Sequence, residues 1–173
     1  HDISIYIHLF KLMPYAVWAY GQAFLQNKVE DVVFLGMKFP KGIMVNSHLS
    51  WIDPLKIRQI TIVGDNSMLI WDDTSINQSL RIYEKGIIKN KSVNESIDGF
   101  GNFKMKIKYG NEILPYIKPQ EPLQIELEHF IDCINKHKQP LTNGNFSLKV
   151  LGVLEAAQIS LNAGGKIVKI KTQ

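Results

Sequence analysis

The central part of the sequence constrains the fold most, because apolar runs of strand length there are separated mainly by short turns. The runs are rich in β-branched and aromatic residues, which are typical of strands. We place strands at residues 15 to 24, 31 to 39, 42 to 51, 56 to 63, 67 to 72, 80 to 84 and 104 to 109. Strands joined by short turns pair antiparallel, because a parallel crossover needs about a dozen residues or more. The pattern therefore predicts a predominantly antiparallel open sheet.

Turn residues and side-chain alternation support this assignment. Gly64-Asp65-Asn66 and Pro40-Lys41-Gly42 separate neighbouring strands and contain residues that tolerate the backbone angles of tight turns. Lys104 to Tyr109 alternates lysine with apolar residues, which predicts one solvated and one packed face. Residues 89 to 102 show no period and are predicted to form a loop.

Helical spacing occurs at both ends of the chain. Near the start, Ile3, Tyr6, Ile7 and Phe10 form one apolar stripe, with Asp2 as the expected N-cap. A second stripe begins after Pro122 and consists of Leu123, Leu127, Phe130, Ile131 and Ile134. A third helix is predicted from about Ser147 with Val150, Val153, Leu154, Ala157 and Leu161 on one side, ending at Gly164-Gly165 before a short strand at Lys166 to Ile170.

The order of elements predicts an α+β domain with helices packed on one face of the sheet. The chain shows no internal repeat and no clear linker, so we expect residues 1 to 173 to form a single domain. A composition of 45% hydrophobic and 21% charged residues is enough for one sizeable core, and no apolar run approaches the roughly 20 residues of a membrane span. The first residue is His1 rather than Met, and we interpret the chain as a piece of a longer protein.

Charge and cysteine content exclude several classes of partner. The formal charge is +4, but 18 of the 20 basic residues are lysine and only Arg58 and Arg81 are arginine, whereas base recognition favours arginine. A basic sheet that binds RNA is therefore only a weak third alternative, and we expect no nucleic-acid partner. Cys133 is the only cysteine, which excludes an internal disulfide and favours a cytoplasmic setting.

Metal and nucleotide sites are not expected in this chain. His1 and His8 lie roughly 10 Å apart along a predicted helix, which is too far to share a metal ion. His129 and His137, eight residues apart on another predicted helix, are also too far apart to share one. Asp72 and Asp73 would point to opposite faces of a continuing strand. Gly99-Phe100-Gly101 lacks the third glycine and the strand-turn-helix context of a dinucleotide site.

His1 and Asp2 form the most suggestive pair for catalysis. An imidazole at a helix N-terminus lies at the positive end of the helix dipole, which disfavours the charged ring and keeps it available as a general base. Capping of the helix by such a pair is the simpler interpretation of the spacing alone.

The C-terminal third carries motifs that resemble a known family. They are Glu121-Pro-Leu-Gln-Ile-Glu-Leu-Glu-His-Phe-Ile-Asp-Cys-Ile134, Gln139-Pro140, Asn143-Gly144 and Leu154-Glu-Ala-Ala-Gln-Ile-Ser160. Together with His1-Asp2-Ile3-Ser4-Ile5, they are similar to the substrate domain of the glucose–fructose oxidoreductase, inositol dehydrogenase (Gfo/Idh/MocA) family. The intervening His48-Leu-Ser-Trp51, Pro54, Lys56, Arg58, Val63-Gly64-Asp65 and Asp72-Asp73 resemble the nucleotide-sugar dehydrogenases of that family.

The resemblance implies the substrate-binding half of an enzyme that uses NAD or NADP to interconvert a sugar or nucleotide-sugar hydroxyl and a ketone. An N-terminal Rossmann domain, absent from this chain, would bind the cofactor, so the isolated chain should be inactive. The family's Glu-Lys-Pro lysine and its aspartate four residues before the histidine also fall outside the sequence, and only the histidine carries over, onto His1.

The resemblance also implies that the open sheet face contacts another subunit in a homo-oligomer. We further expect His48, Trp51, Lys56 and Arg58 to contact substrate, with a solvated surface or a subunit contact as the competing interpretation for Lys56 and Arg58. The alternative function is a non-catalytic sheet domain for ligand binding or subunit assembly.

Overall fold

The computed structural model describes residues 1–75, 78–88, 106–108 and 110–170, and these form an α+β structure, as predicted. The predicted loop at 89 to 102, with its Gly99-Phe100-Gly101 motif, lies outside the described residues. The helices and strands are α1 (Asp2–Phe10), β1 (Ala16–Gln22), β2 (Val32–Lys38), β3 (Met44–Ser50), β4 (Gln59–Val63), β5 (Met68–Asp72), β6 (Leu80–Tyr83), β7 (Gly86–Ile88), β8 (Lys106–Lys108), β9 (Glu112–Ile113), α2 (Pro122–Asn135), α3 (Gly144–Asn162) and β10 (Val168–Lys169).

All eight predicted strands are confirmed where the structure describes them, with boundaries shifted by a few residues. The largest shift is at β4, which begins at Gln59 rather than 56 because its first ladder partner is Asp72, the last residue of β5. The short strands β7 and β9 were missed, since three and two residues are too few to show a period. Of the predicted strand at 104 to 109, residues 106–108 are described and form β8.

The chain divides into two compact units. The first comprises residues His1–Pro54 and Leu123–Gln173, and the second comprises Leu55–Pro122. Each unit contains a four-stranded sheet in which every described pair of strands is antiparallel.

The sheet of the first unit has the strand order β10-β1-β2-β3 and carries the core of that unit on one face. Val17 and Met37 pair across β1 and β2 and are fully buried. Helix α3 packs on this sheet through Ser160, whose hydroxyl accepts a hydrogen bond from the backbone N–H of Ala19 at 2.9 Å. Helix α1 packs on it through Tyr6. The helices therefore cover one face, as predicted.

The opposite face of this sheet is open and aromatic. The strand register aligns Tyr20, Phe34 and His48 in one row across β1, β2 and β3. Tyr20 and Phe34 are exposed, and the rings of Phe34 and His48 stack with centroids 4.8 Å apart and planes 8° from parallel. Trp18 covers Gly36 on the same face, where an added Cβ would lie only 2.0 Å from the indole.

The second unit is built on the order β4-β5-β6-β9, with β7 and β8 forming a separate two-stranded antiparallel sheet. The predicted turn at Gly64-Asp65-Asn66 joins β4 to β5, and the Gly64 N–H donates to the carbonyl of Ser67 at 2.9 Å. The register places Thr61, Ile70 and Arg81 on one face of this sheet.

The helix ends correct three expectations. The N-cap of α1 is His1 rather than Asp2, because the His1 carbonyl already accepts the Ile5 N–H at 3.0 Å, and Asp2 lies in the first turn. Helix α3 begins at Gly144 rather than near Ser147, because the Asn143 side chain accepts the Phe146 N–H and caps it. Helix α2 ends at Asn135, so His137 does not share a helix with His129.

Other helix boundaries agree with the sequence. Pro122 occupies the start of α2, and Gly164 and Gly165 adopt positive φ angles of 65° and 85° after α3. In the part of the chain that is described, the helices are too short or too polar to span a membrane.

Candidate functional site

The position of His1 depends on the direction in which α1 crosses the first sheet. At one end of the helix, the ring of Phe10 packs edge-on against Phe39 with centroids 5.1 Å apart, next to the end of β2. Further along, the Tyr6 hydroxyl lies 3.1 Å from the hydroxyl of Ser47, in the middle of β3. Because the helix follows β3 from the first contact to the second, His1 lies toward the end of the sheet where β3 finishes. We call this the His1 end of the sheet.

The Tyr6 contact is buried and holds the helix in place. Burial raises the pKa of the Tyr6 hydroxyl above its ordinary value, while its hydrogen bond with Ser47 acts in the opposite direction. The tyrosine is therefore neutral at physiological pH and can share a hydrogen bond with Ser47. His1 itself is exposed, and its backbone carbonyl accepts from the Ser4 hydroxyl and the Ile5 N–H. These contacts fix the backbone of His1, and the residue remains exposed to solvent.

A loop between β1 and β2 also lies at the His1 end, and it is held by one carboxylate. Asp31 is buried, and its Oδ2 accepts hydrogen bonds from the backbone N–H groups of Phe24 and Leu25, the latter at 2.6 Å. Lys28 turns the loop with a φ of 70°. Phe24 and Leu25 are exposed on this anchored backbone. The loop therefore presents two apolar side chains on a fixed frame.

Sequence reasoning missed Asp31. The polar residues Asn27 and Lys28 lie between the two predicted strands, but no local pattern shows that the carboxylate of Asp31 will accept two backbone N–H groups. A polar residue directly before the apolar strand β2 is the only available signal.

Trp51 lies next to this loop at the end of β3. Its backbone N–H donates to the carbonyl of Asp31 at 2.9 Å, while its side chain is 89% exposed. The following residues form a tight turn in which the Ser50 hydroxyl accepts from the N–H groups of Ile52 and Asp53. The backbone is thus ordered while the indole remains available for stacking.

His48 lies on the open face of the sheet, away from α1. Its neighbour Ser47 contacts Tyr6 on the helix side, and adjacent residues of a strand point to opposite faces. The structure therefore does not bring His48 and His1 to one face. The His48 ring instead extends the aromatic row through its stack on Phe34.

Lys56 and Arg58 belong to the second unit and are both exposed. Both precede β4, which begins at Gln59, although the sequence predicts a strand from residue 56; strand alternation therefore does not place the two side chains on one face. Arg58 Nη1 lies 3.4 Å from Asp73 Oδ2, with the two side chains 60% and 42% exposed. Exposed ion pairs of this kind typically contribute about 0–1 kcal/mol.

Asp72 and Asp73 do not form a paired-carboxylate site. Asp72 Oδ1 accepts from both the hydroxyl and the backbone N–H of Thr74, at 2.6 and 2.9 Å, and these hydrogen bonds lower the pKa of the Asp72 carboxyl. Asp73 pairs with Arg58 instead. Asp72 thus stabilises the turn after β5.

Nearly the whole chain matches one protein-family model. The model describes the C-terminal alpha/beta domain of an oxidoreductase family, Gfo/Idh/MocA, and it covers residues 1–170. A search among curated protein sequences finds no match.

Solved structures with the same fold include several dehydrogenases. UDP-N-acetylglucosamine 3-dehydrogenase GnnA from Acidithiobacillus ferrooxidans aligns with a TM-score of 0.74 and 18% identity over 95% of this chain and 45% of its own. An aldose-aldose oxidoreductase from Caulobacter crescentus, complexed with glycerol, aligns with a TM-score of 0.69 and 19% identity over 97% of this chain and 44% of its own. The WlbA dehydrogenase from Bordetella pertussis, complexed with NADH and UDP-GlcNAcA, aligns with a TM-score of 0.63 and 17% identity over 100% of this chain and 44% of its own. This chain spans less than half the length of each.

Proposed function

We propose a function on the premise that this chain belongs to the Gfo/Idh/MocA oxidoreductase family, as its C-terminal α/β domain. We infer that it is the substrate-binding half of an NAD(P)-dependent enzyme that interconverts a secondary hydroxyl of a sugar or nucleotide sugar and a ketone. The dehydrogenases of similar fold, two of which carry UDP-sugars in their names or complexes, support this substrate class. The single cysteine favours a reducing, cytoplasmic setting.

The described residues do not form a cradle for the dinucleotide, so we assign the cofactor to a second, Rossmann-type half of the protein. Such a cradle needs a strand, a glycine-rich turn and a helix in a parallel βαβ unit, whereas the described strand pairs are all antiparallel. NAD or NADP would supply the hydride acceptor or donor. The residues of this chain would bind the sugar and handle its proton.

The exposed imidazole at the N-terminus of α1 is the observation that carries the proposal. Oxidation of an alcohol requires a base to take the hydroxyl proton. In our proposal His1 accepts that proton when the hydroxyl is oxidised and returns it in the reverse direction. The buried Tyr6–Ser47 contact supports this role because it fixes the helix that presents His1.

The ordered backbone around Trp51 supports a sugar site at the same end of the sheet. A flat indole that is 89% exposed on a fixed backbone suits stacking against a sugar ring. His48, Lys56 and Arg58 remain predicted substrate contacts. For His48, which stacks on Phe34 on the open face of the sheet, a contact with a second copy of the chain is the competing role.

Replacing His1 in the full-length protein tests the proposal. We expect His1→Ala to lower kcat by about 10² to 10⁴, the usual contribution of a general base, without changing the affinity for the cofactor. The matched control is His8→Ala, because His8 is also exposed on α1 but lies near its other end. Steady-state kinetics across nucleotide sugars, inositols and free hexoses would first identify the substrate. Turnover of His1→Ala within about threefold of wild type would remove His1 from the mechanism.

A non-catalytic module for subunit assembly is the second candidate, favoured by the open aromatic row of Tyr20, Phe34 and His48. Reduction or oxidation of nicotinamide by the full-length protein with any sugar substrate would exclude it. Assembly without such activity, and without cofactor binding, would favour it over the enzyme.

A further inference from the structure

Helix α2 carries its apolar stripe on the outside. The sequence predicts that this stripe packs inward, as the apolar side of a globular helix normally does. The structure shows the opposite: Leu123, Leu127, Phe130, Ile131 and Ile134 are 60, 54, 55, 57 and 58% exposed. We call these five residues the α2 stripe.

The other side of the helix is anchored, which fixes the stripe in its outward orientation. Cys133 is buried, and His129 Nε2 accepts the backbone N–H of Leu141 at 3.2 Å, which ties α2 to the segment before α3. With about 100° of rotation per residue, His129 lies about 145° and Cys133 about 105° from the middle of the stripe. The helix therefore cannot bury the stripe by rotating without breaking these contacts.

Leu141 shows which side of the first unit α2 lies on. It lines a groove of about 260 Å³ together with Ile7 of α1 and Phe146 of α3, so it belongs to the helical layer that covers the sheet. The aromatic row of Tyr20, Phe34 and His48 lies on the other face of that sheet. The first unit thus exposes two separate apolar surfaces, one on its helical side and one on its open sheet face.

A contiguous apolar surface that is rimmed by polar residues generally marks an interface. The matched structures are more than twice as long as this chain, and the matched family model describes a C-terminal domain. A second half of the same polypeptide is therefore the expected neighbour of the helical layer, which also carries His1.

We propose that the α2 stripe is the surface on which the nucleotide-holding half of the same polypeptide packs. This inference rests on the proposed function, since it takes that half to exist. The open sheet face is then left for a second copy of the chain.

Site-specific photo-cross-linking in the full-length protein tests this assignment. Replacing Phe130 by p-benzoylphenylalanine keeps an aromatic ring at the centre of the stripe, and the matched control places the same group at Glu128, which is exposed on the same helix outside the stripe. After irradiation, the product is separated by mass and the cross-linked peptides are mapped.

A product of single-subunit mass that joins position 130 to residues preceding His1, with no such product from position 128, supports the proposal. A product of doubled mass at position 130, a cross-link confined to residues 1–173, or no cross-link overturns it. Nicotinamide turnover measured on the same samples separates the two claims. Turnover with cross-links elsewhere refutes only the interface, whereas the expected cross-link without cofactor binding or turnover refutes the proposed function.

Discussion

At the scale of single residues, Ser160 takes the place of a strand beside β1. Strand β10 pairs with Ala16 and Val17 of β1. Along that edge of β1, no strand of the described residues pairs with Ala19, so its N–H needs another acceptor. The Ser160 hydroxyl accepts that N–H at 2.9 Å and lies 2.7 Å from the carbonyl of Lys166. One fully buried hydroxyl thus joins α3, β1 and the turn into β10.

We expect Ser160→Ala to lower the free energy of unfolding by about 1–3 kcal/mol, because it leaves the buried N–H of Ala19 without a partner. Urea denaturation followed by circular dichroism measures the change. Gln158→Ala is the control, since Gln158 is exposed on the same helix and its side chain donates to Asn162 on that helix, and it should change stability by less than about 0.5 kcal/mol. Equal effects of the two substitutions would contradict this role of Ser160.

Contacts of this kind could not be predicted from the sequence. Ser160 and Ala19 are 141 residues apart, and a serine between Ile159 and Leu161 gives no sign of its distant partner. His1 could be singled out because its signal is local: a histidine directly before a helical pattern. The carboxylate of Asp31 was missed for the same reason as Ser160.

At the scale of helices and strands, the periodicity of apolar residues predicts that an element exists better than it predicts which of its faces is buried. The stripe of α1 is confirmed because Ile3, Tyr6 and Ile7 are buried, as the spacing indicates. The same kind of stripe on α2 is exposed. In our proposal its partner surface belongs to the nucleotide-holding half of the polypeptide. A period shows which residues share a face, whereas packing decides what that face meets.

Replacing two glycines in different elements by alanine should change the stability of the protein in opposite directions. An added Cβ at Gly36 would lie 2.0 Å from the indole of Trp18 and displace it, which should cost about 1–3 kcal/mol. At Gly152, inside α3, an added Cβ meets nothing within 4 Å, so Gly152→Ala should stabilise by about 0.5–1 kcal/mol through helix propensity. Thermal unfolding gives the sign, and tryptophan emission should shift only for Gly36→Ala. Two changes of the same sign would contradict the structural explanation.

At the scale of the whole molecule, the sequence predicted the layers because one-sided helices and a sheet with two faces leave few arrangements. The division after Pro54 and again after Pro122 was not apparent, since neither position has the composition of a linker. The open sheet face was expected from the family resemblance rather than from the pattern of residues.

Substitution of Phe34 tests whether the open face joins two copies of the full-length protein. Phe34→Lys removes the stack on His48 and places a charge in the aromatic row, so we expect the dissociation constant of the oligomer to rise roughly tenfold or more, or ~1.4 kcal/mol. Analytical ultracentrifugation across a concentration series measures it. Tyr116→Lys, at an exposed aromatic residue of the second unit, is the control and should leave assembly unchanged. An unaltered mass distribution for Phe34→Lys would exclude this face as the contact.

The loop between β1 and β2 has a consequence for how recognition at the His1 end could diverge among related proteins. Its path is set by Asp31 through backbone N–H groups, so the shape does not depend on the side chains of Phe24 and Leu25. The side chains at those two positions can be substituted while the backbone of the loop keeps its path. A ligand that binds there does not have to order the loop, because the loop has already lost its conformational entropy on folding. Selectivity at this edge can therefore evolve by replacing individual side chains without rebuilding the loop.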